Sequence, residues 1–205
     1  MEGPVTVAVT GPFASGKSTL VRFLGELPGT ETASADEIVH HLLKNDRQTI
    51  SRITERFGEH VKGPDGIDRK ALGREVFGDT GALRDLEEIL HPLVRGETDR
   101  RIEASTAELF VVEIPLLFET GRGEDFDFTV AVTVPEEKRR AWAEERGLDE
   151  AALRAVEARQ FSGEEKAGRA GLRIQNDGDL DRLREQAYEL GRKISRRRGS
   201  NDNPR

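Results

Sequence analysis

Val5-Thr6-Val7-Ala8-Val9-Thr10-Gly11-Pro12-Phe13-Ala14-Ser15-Gly16-Lys17-Ser18-Thr19 reads as three successive pieces. The short, apolar, β-branched run over 5–9 predicts a buried strand. Gly11 through Gly16 follows as a turn of small residues. Lys17 through Leu27 then predicts a helix, with Leu20, Phe23, Leu24 and Leu27 at three- and four-residue spacing. Gly11 to Ser18 fits G-x-x-x-x-G-K-[ST] without a mismatch. The chemistry needs each residue type. Small residues let successive backbone N–H groups turn inward around a phosphate, and the helix N-terminus adds partial positive charge. Lys17 reaches the β- and γ-phosphates, and the Ser18 hydroxyl can ligate Mg²⁺. A glycine-rich turn with a surface lysine is the bland alternative. The strand before and the helix after favour a nucleotide-binding P-loop.

Working outward, 109–114 and 128–134 give two more buried-strand candidates, 30–35 a weaker one and 172–175 a short one before the turn at Asn176-Asp177-Gly178. Helical patterns lie between them, the layout of a parallel α/β sheet covered on both faces. Two stretches interrupt the alternation. Residues 38–101 read as almost entirely helical, broken at Gly63-Pro64-Asp65-Gly66, which suggests a helical insertion. Residues 136–169 are rich in Arg, Glu and Ala and poor in large apolar side chains, suiting a mobile surface hairpin or lid. The expected organisation is one domain. Its core covers about 3–37, 106–135 and 170–195, the insertion about 38–105, the lid about 136–169, and a frayed tail 196–205. The glycines of the insertion recur at no fixed period, so no repeat is expected.

Composition narrows the function. The chain has 205 residues, 35% of them charged, with a net charge of −7 and no cysteine; mean hydropathy is −0.61. Disulfides, thiolate metal sites and a cysteine nucleophile are excluded. A nonspecific nucleic-acid or anionic-membrane binder would be basic, so neither partner is expected. No run approaches the ~20 apolar residues of a membrane span, and 1–10 lacks the pattern of a secretory signal. A cytoplasmic monomer is the expectation. An N-K-x-D segment for guanine is missing, and a motor ATPase would need a longer chain. Size and insertions suit a small-molecule kinase, in which one insertion grips the acceptor and the other closes over the phosphates. Another nucleotide or sugar-alcohol kinase, and a nucleotide-binding regulator without activity, stay open at this point.

Four further segments carry a resemblance. They are 34–40 (Ser-Ala-Asp-Glu-Ile-Val-His), 86–95 with His91-Pro92, 111–119 with Ile114-Pro115-Leu116-Leu117-Phe118-Glu119, and 160–169 followed by 174–178. In this order behind this P-loop, from Val5 to about Leu190, the chain closely resembles the dephospho-CoA kinase family. The resemblance implies a P-loop kinase fold with a five-stranded parallel sheet, helices on both faces, a helical substrate-binding insertion and a lid. It also implies transfer of the ATP γ-phosphoryl group to the ribose 3′-hydroxyl of dephospho-CoA, with Mg²⁺. The implied ATP-binding residues are Ala14, Ser15, Gly16, Lys17, Ser18, Thr19 and Arg169, with Ser18 on the metal. Lys17, Asp36 and Arg140 are the implied catalytic groups, and His91, Arg95 and Glu119 the implied substrate contacts.

Each has a plainer reading. Asp36 can accept or orient the acceptor hydroxyl's proton, or cap a helix. His91 can touch substrate or pack beside Leu86, Leu90 and Leu93. Arg95 can meet an anion or be solvated. Glu113 can sit near the metal, and Glu119 can satisfy backbone donors. Arg139, Arg140, Arg159 and Arg169 fall in the lid, where some cation must offset charge on the transferring group. Trp142 reads as packing. The chain departs from the family at Ser34, where many relatives are acidic, at Gly171, where many carry Asp, and at Val156, with Arg159 displaced next to Gln160.

Overall fold

The structure is a computed structural model describing residues 3–199. In chain order the elements are β1 (Val5–Thr10), α1 (Lys17–Gly25), β2 (Thr30–Ser34), α2 (Ala35–Asn45) and α3 (Arg47–Phe57). Next come β3 (Lys62–Gly63), β4 (Gly66–Ile67), α4 (Arg69–Val76), α5 (Thr80–Ala104), β5 (Leu109–Glu113) and β6 (Phe128–Thr133). The chain continues through α6 (Glu136–Glu145), α7 (Glu150–Glu157), α8 (Gly163–Arg169), β7 (Leu172–Gln175) and α9 (Leu180–Gly199).

Five strands form one sheet in the order β2-β5-β1-β6-β7. β1 pairs in parallel with β5 and β6, and β6 in parallel with β7. The run that predicted a buried strand is therefore the central one. Val7 and Val9 join a core with Leu20, Phe23 and Leu24 of α1 and Leu183, Ala187 and Leu190 of α9. Ala8, pointing the opposite way by strand alternation, is equally buried, so both sheet faces are covered. Apolar-in, polar-out alternation is absent from β1 because neither face meets water there. α1 stops at Gly25 rather than Leu27, ahead of Pro28, whose ring disfavours helical backbone at the residue before it.

The chain divides into two compact units, one holding residues up to Ala33 and from Ser105 onward, the other Ser34–Ala104. The second has its own core, built from Leu43, Ile53, Phe57, Val61, Ile67, Leu72 and Leu90. Two of its helices, α3 and α4, start on aspartates. Asp46 accepts from the Thr49 hydroxyl at 2.6 Å and from the Thr49 N–H at 2.7 Å, Asp68 from the Ala71 N–H at 3.2 Å and the Lys70 N–H at 2.9 Å, and these bonds hold both carboxyls below the ordinary value. The glycines at 63 and 66 do more than interrupt helix, because residues 62–67 form a small antiparallel hairpin. Gly66 has φ +107°, and a Cβ there would lie 2.5 Å from the Leu43 carbonyl oxygen, so only glycine fits.

The 136–169 segment, expected as a mobile surface hairpin or lid, consists of three helices, its Ala, Arg and Glu content favouring helix once Leu153 and Ala143 find a buried surface. One expectation needs correction. The frayed tail begins too early at 196, because α9 runs to Gly199; residues 200–205 lie outside the described residues.

Candidate active site

The phosphate loop leaves the carboxyl end of β1, where parallel sheets bind ligands. Ser15 N–H donates to the Pro12 carbonyl at 3.3 Å, closing a tight turn. Gly16 is the N-cap of α1 with φ +91°, and Ala14 is left-handed at φ +58°. Such backbone is costly for a residue with a Cβ and persists where the surroundings hold it. For Ala14 the hold is visible: it is buried against Ala143 of α6 and Leu153 of α7, with Phe13 and Trp142 partly buried beside them. Trp142 packs, as read from the sequence.

Lys17 is buried, and its Nζ donates to the Pro12 carbonyl oxygen at 2.9 Å. The ammonium thus lies over its own loop. Ser18 Oγ donates to Glu113 Oε1 at 3.0 Å, and Glu113 is buried at the end of β5, in register with Val9. A hydroxyl and a carboxylate side by side are the hard oxygen donors that Mg²⁺ takes. Among the described residues no group of three or more His, Asp or Glu side chains could hold a metal by itself. A Mg²⁺ bound here would take its remaining oxygens from phosphates and water, its usual mode in kinases. Thr19 is half-buried on the following position of α1.

The lid arginines separate by burial. Arg140 is exposed and pairs with Glu136 at 2.9 Å. Arg139, given no individual role in the sequence reading, is buried between Glu136 and Glu157. It borders a cleft of about 1280 Å³ that Pro12, Gln160, Phe161, Arg173 and Gln175 also line. Arg169 is exposed, its guanidinium 4.4 Å from the Phe161 ring centroid. Arg159 is exposed.

Glu119 is held inside the fold. Its Oε1 accepts from the Phe161 N–H at 2.7 Å and from Lys166 Nζ at 2.7 Å. Lys166 is fully buried on α8 and also donates to the Pro115 carbonyl oxygen. Burial pushes the Lys166 ammonium below the ordinary lysine value, and the Glu119 carboxylate works against that shift. This clamp ties α8 to the Ile114-Pro115-Leu116-Leu117-Phe118-Glu119 segment, the chain's most distinctive passage. Removing one partner of a buried pair strands the other charge, so Lys166→Met is expected to lower unfolding free energy by about 3 kcal/mol or more. Urea unfolding measures it, and a loss below about 1 kcal/mol would show the pair to be dispensable.

Asp36, His91 and Arg95 belong to the helical unit. Asp36 is exposed in the first turn of α2, whose N-cap is Ser34. The capping alternative for Asp36 is thereby removed. His91 is exposed on α5, four residues from exposed Arg95 and hence on the same face. Leu90 beside it enters the core while His91 does not, which removes the packing alternative. Arg95 lies 4.0 Å from Asp99, one helical turn on.

Two residues without a role in the sequence reading matter locally: Lys166, and Asn176, whose Nδ2 donates to the Ser15 carbonyl oxygen at 3.0 Å. Asn176 stands in the 174–178 segment that carried part of the resemblance, the one signal that pointed to it.

Comparison with known proteins agrees with this geometry. The family model described as dephospho-CoA kinase matches residues 5–182. A dephospho-CoA kinase from Symbiobacterium thermophilum is 43% identical over 185 residues, covering 88% of this chain and 77% of that one. Among solved structures, TT1252 from Thermus thermophilus matches with a TM-score of 0.77 at 31% identity, covering 93% of this chain and 98% of its own. The dephospho-CoA kinase from Campylobacter jejuni matches with a TM-score of 0.62 at 28% identity, covering 92% and 96%.

Proposed function

The chain belongs to the dephospho-CoA kinase family, and from that membership we propose a division of labour among its residues for moving the γ-phosphoryl group of ATP onto the ribose 3′-hydroxyl of dephospho-CoA. It is an ATP-dependent kinase. The observation that carries the reading is the strand–loop–helix passage with Lys17 folded over its loop and Ser18 beside Glu113. Ala14 through Thr19 bind the phosphates, mainly through backbone N–H groups. Lys17 exchanges its bond to the Pro12 carbonyl for phosphate oxygens and follows the charge that builds on them during transfer. Ser18, with Glu113, would hold Mg²⁺, which neutralises charge on the β- and γ-phosphates.

Asp36 accepts or orients the proton of the acceptor hydroxyl as the new P–O bond forms. Arg140 and Arg169 supply cations toward the transferring group and ATP. His91, Arg95 and Glu119 are the proposed acceptor contacts, although the internal partners of Glu119 make its role one of shaping the site. No helix among the described residues is long and apolar enough to cross a membrane. A cytoplasmic enzyme acting as a monomer, without a nucleic-acid partner, is the matching proposal.

An acceptor screen tests the substrate. With ATP present, ADP release is expected to depend on dephospho-CoA and to be slow with nucleosides, nucleotides and sugar alcohols. Equal rates with an unrelated alcohol would move the chain to another kinase activity. ATP binding without acceptor-dependent release would mark a regulator.

The lid gives a second expected result. α7 contributes a single buried apolar side chain, Leu153, whereas α8 is fixed by Lys166. Opening of α7 should cost little, so its amides are expected to exchange fast in the free protein and more slowly with a non-hydrolysable ATP analogue and Mg²⁺. Amides of α8 near Lys166 should be protected in both states. Equal α7 protection with and without nucleotide would make it a fixed surface element.

A further inference from the structure

Asn176 follows β7 and is only 6% exposed. Its backbone N–H donates to the Thr133 carbonyl at 2.7 Å, which seats it at the end of β6. Its side chain reaches the phosphate loop across 161 residues of sequence, donating to the Ser15 carbonyl oxygen at 3.0 Å. Two acceptors cannot pair, so chemistry alone requires the amide nitrogen to face that carbonyl.

The consequence lies in one peptide plane. The Ser15 C=O and the Gly16 N–H belong to the same trans unit and point in opposite directions. Drawing the carbonyl toward Asn176 therefore turns the Gly16 N–H away from Asn176. The conformation of Gly16 fits this arrangement: φ is +91°, and a Cβ there would lie 2.3 Å from Asn176 Nδ2. The glycine of the G-K-[ST] motif thus leaves the space that the buried amide of Asn176 fills.

We propose that Asn176 is a positioning residue for the nucleotide, holding the Ser15–Gly16 peptide so that the Gly16 N–H faces the phosphates. The inference rests on the ATP-binding reading above. Without the clasp, the peptide can rotate and the loop must be reordered each time a nucleotide binds, which weakens affinity for ATP and leaves the acceptor's binding alone.

Two variants test it. Asn176→Ser shortens the side chain and loses the bond. Asn176→Asp keeps the shape, but an ionised carboxylate offers only acceptors to the Ser15 carbonyl, whereas the protonated acid regains one O–H donor. Burial raises the pKa of such a carboxyl, so the donor returns as pH falls. Calorimetric titration with a non-hydrolysable ATP analogue plus Mg²⁺, and separately with dephospho-CoA, reads both ligands. At about pH 8 both variants are expected to bind the analogue roughly tenfold or more weakly, with dephospho-CoA affinity within about twofold of native. The deficit of Asn176→Asp relative to native should shrink several-fold by about pH 5.5, and that of Asn176→Ser should not.

Native-like affinity for the analogue in either variant overturns the proposal. So does equal loss of both ligands, which would assign Asn176 to general packing, or a deficit in Asn176→Asp that ignores pH. If Asn176→Asp does not fold, Asn176→Ser decides by the first two criteria. A native chain that binds no analogue overturns the ATP-binding reading and this proposal with it, whereas native binding with unaffected variants overturns this proposal alone.

Discussion

Lys17→Ala is expected to lower phosphoryl transfer by roughly 10³-fold or more while the protein stays folded. The magnitude follows from where charge develops. During transfer the negative charge spreads over the oxygens of the γ-phosphoryl group, and a cation already in place costs no reorganisation at that moment. Lys17 is buried by the loop it serves, with its Nζ 2.9 Å from the Pro12 carbonyl oxygen. Its field acts in a partly desolvated setting and is worth more than it would be in water. The stability cost is small by comparison. The Pro12 carbonyl loses one donor, about 1 kcal/mol, against a total of about 5–15 kcal/mol. Initial rates of ADP formation at saturating dephospho-CoA, paired with a thermal melt, separate the two effects. Turnover within about tenfold of native would mean the loop is not the catalytic phosphate site.

Asp36→Asn should reduce kcat by ~10²-fold or more, with little change in KM for ATP. Asparagine keeps the size and polarity of the side chain and cannot take a proton. The structure sharpens the expectation on stability. Because Ser34 is the N-cap of α2, Asp36 makes no cap that the substitution could break. What remains is the attraction of a first-turn carboxylate to the helix dipole, about 0.3–1 kcal/mol. A large fall in kcat with a nearly unchanged melt therefore identifies a group acting on the acceptor hydroxyl. An unchanged kcat with a lowered melt would assign Asp36 to the helix alone.

What could be read from the chain, and what could not, divides by the range of the interaction. β1, β5 and β6 announced themselves because strands buried on both faces need unbroken apolar, β-branched runs. The phosphate loop was legible for a related reason: its backbone conformation demands particular residues at fixed spacing, at Gly11, Gly16 and Lys17. The hairpin over 62–67 was hidden because strands of two residues carry no periodicity. The three separate helices of 136–169 were hidden because their few large apolar side chains give little periodicity, although Ala143 and Leu153 pack against Ala14.

Lys166 and Asn176 illustrate the deeper limit. Nothing local marks a lysine among Glu164, Glu165 and Arg169 as fully buried, because its burial depends on Glu119, which comes from another part of the chain. Asn176 sat in a recognisable turn, yet its partner is the carbonyl of Ser15 at the opposite end of the sequence. Arg139 and Arg140 are adjacent and identical in type, and only the helix orientation puts the first between Glu136 and Glu157 and leaves the second in solvent. The resemblance placed Asp36, His91 and Arg95 as candidates. The structure contributed the removal of the capping reading for Asp36 and the packing reading for His91, while Arg95 is exposed and paired with Asp99.

The most direct measurement follows the phosphorus atom. The purified chain would be incubated with Mg²⁺, dephospho-CoA and ATP carrying an isotopic label in its γ-phosphoryl group, and the product identified by mass spectrometry and phosphorus NMR. The expected result is coenzyme A with the label in a new monoester on the ribose 3′-oxygen, formed in equal amount with ADP. Label appearing in inorganic phosphate, on another hydroxyl, or on an unrelated acceptor in preference to dephospho-CoA would contradict the assignment.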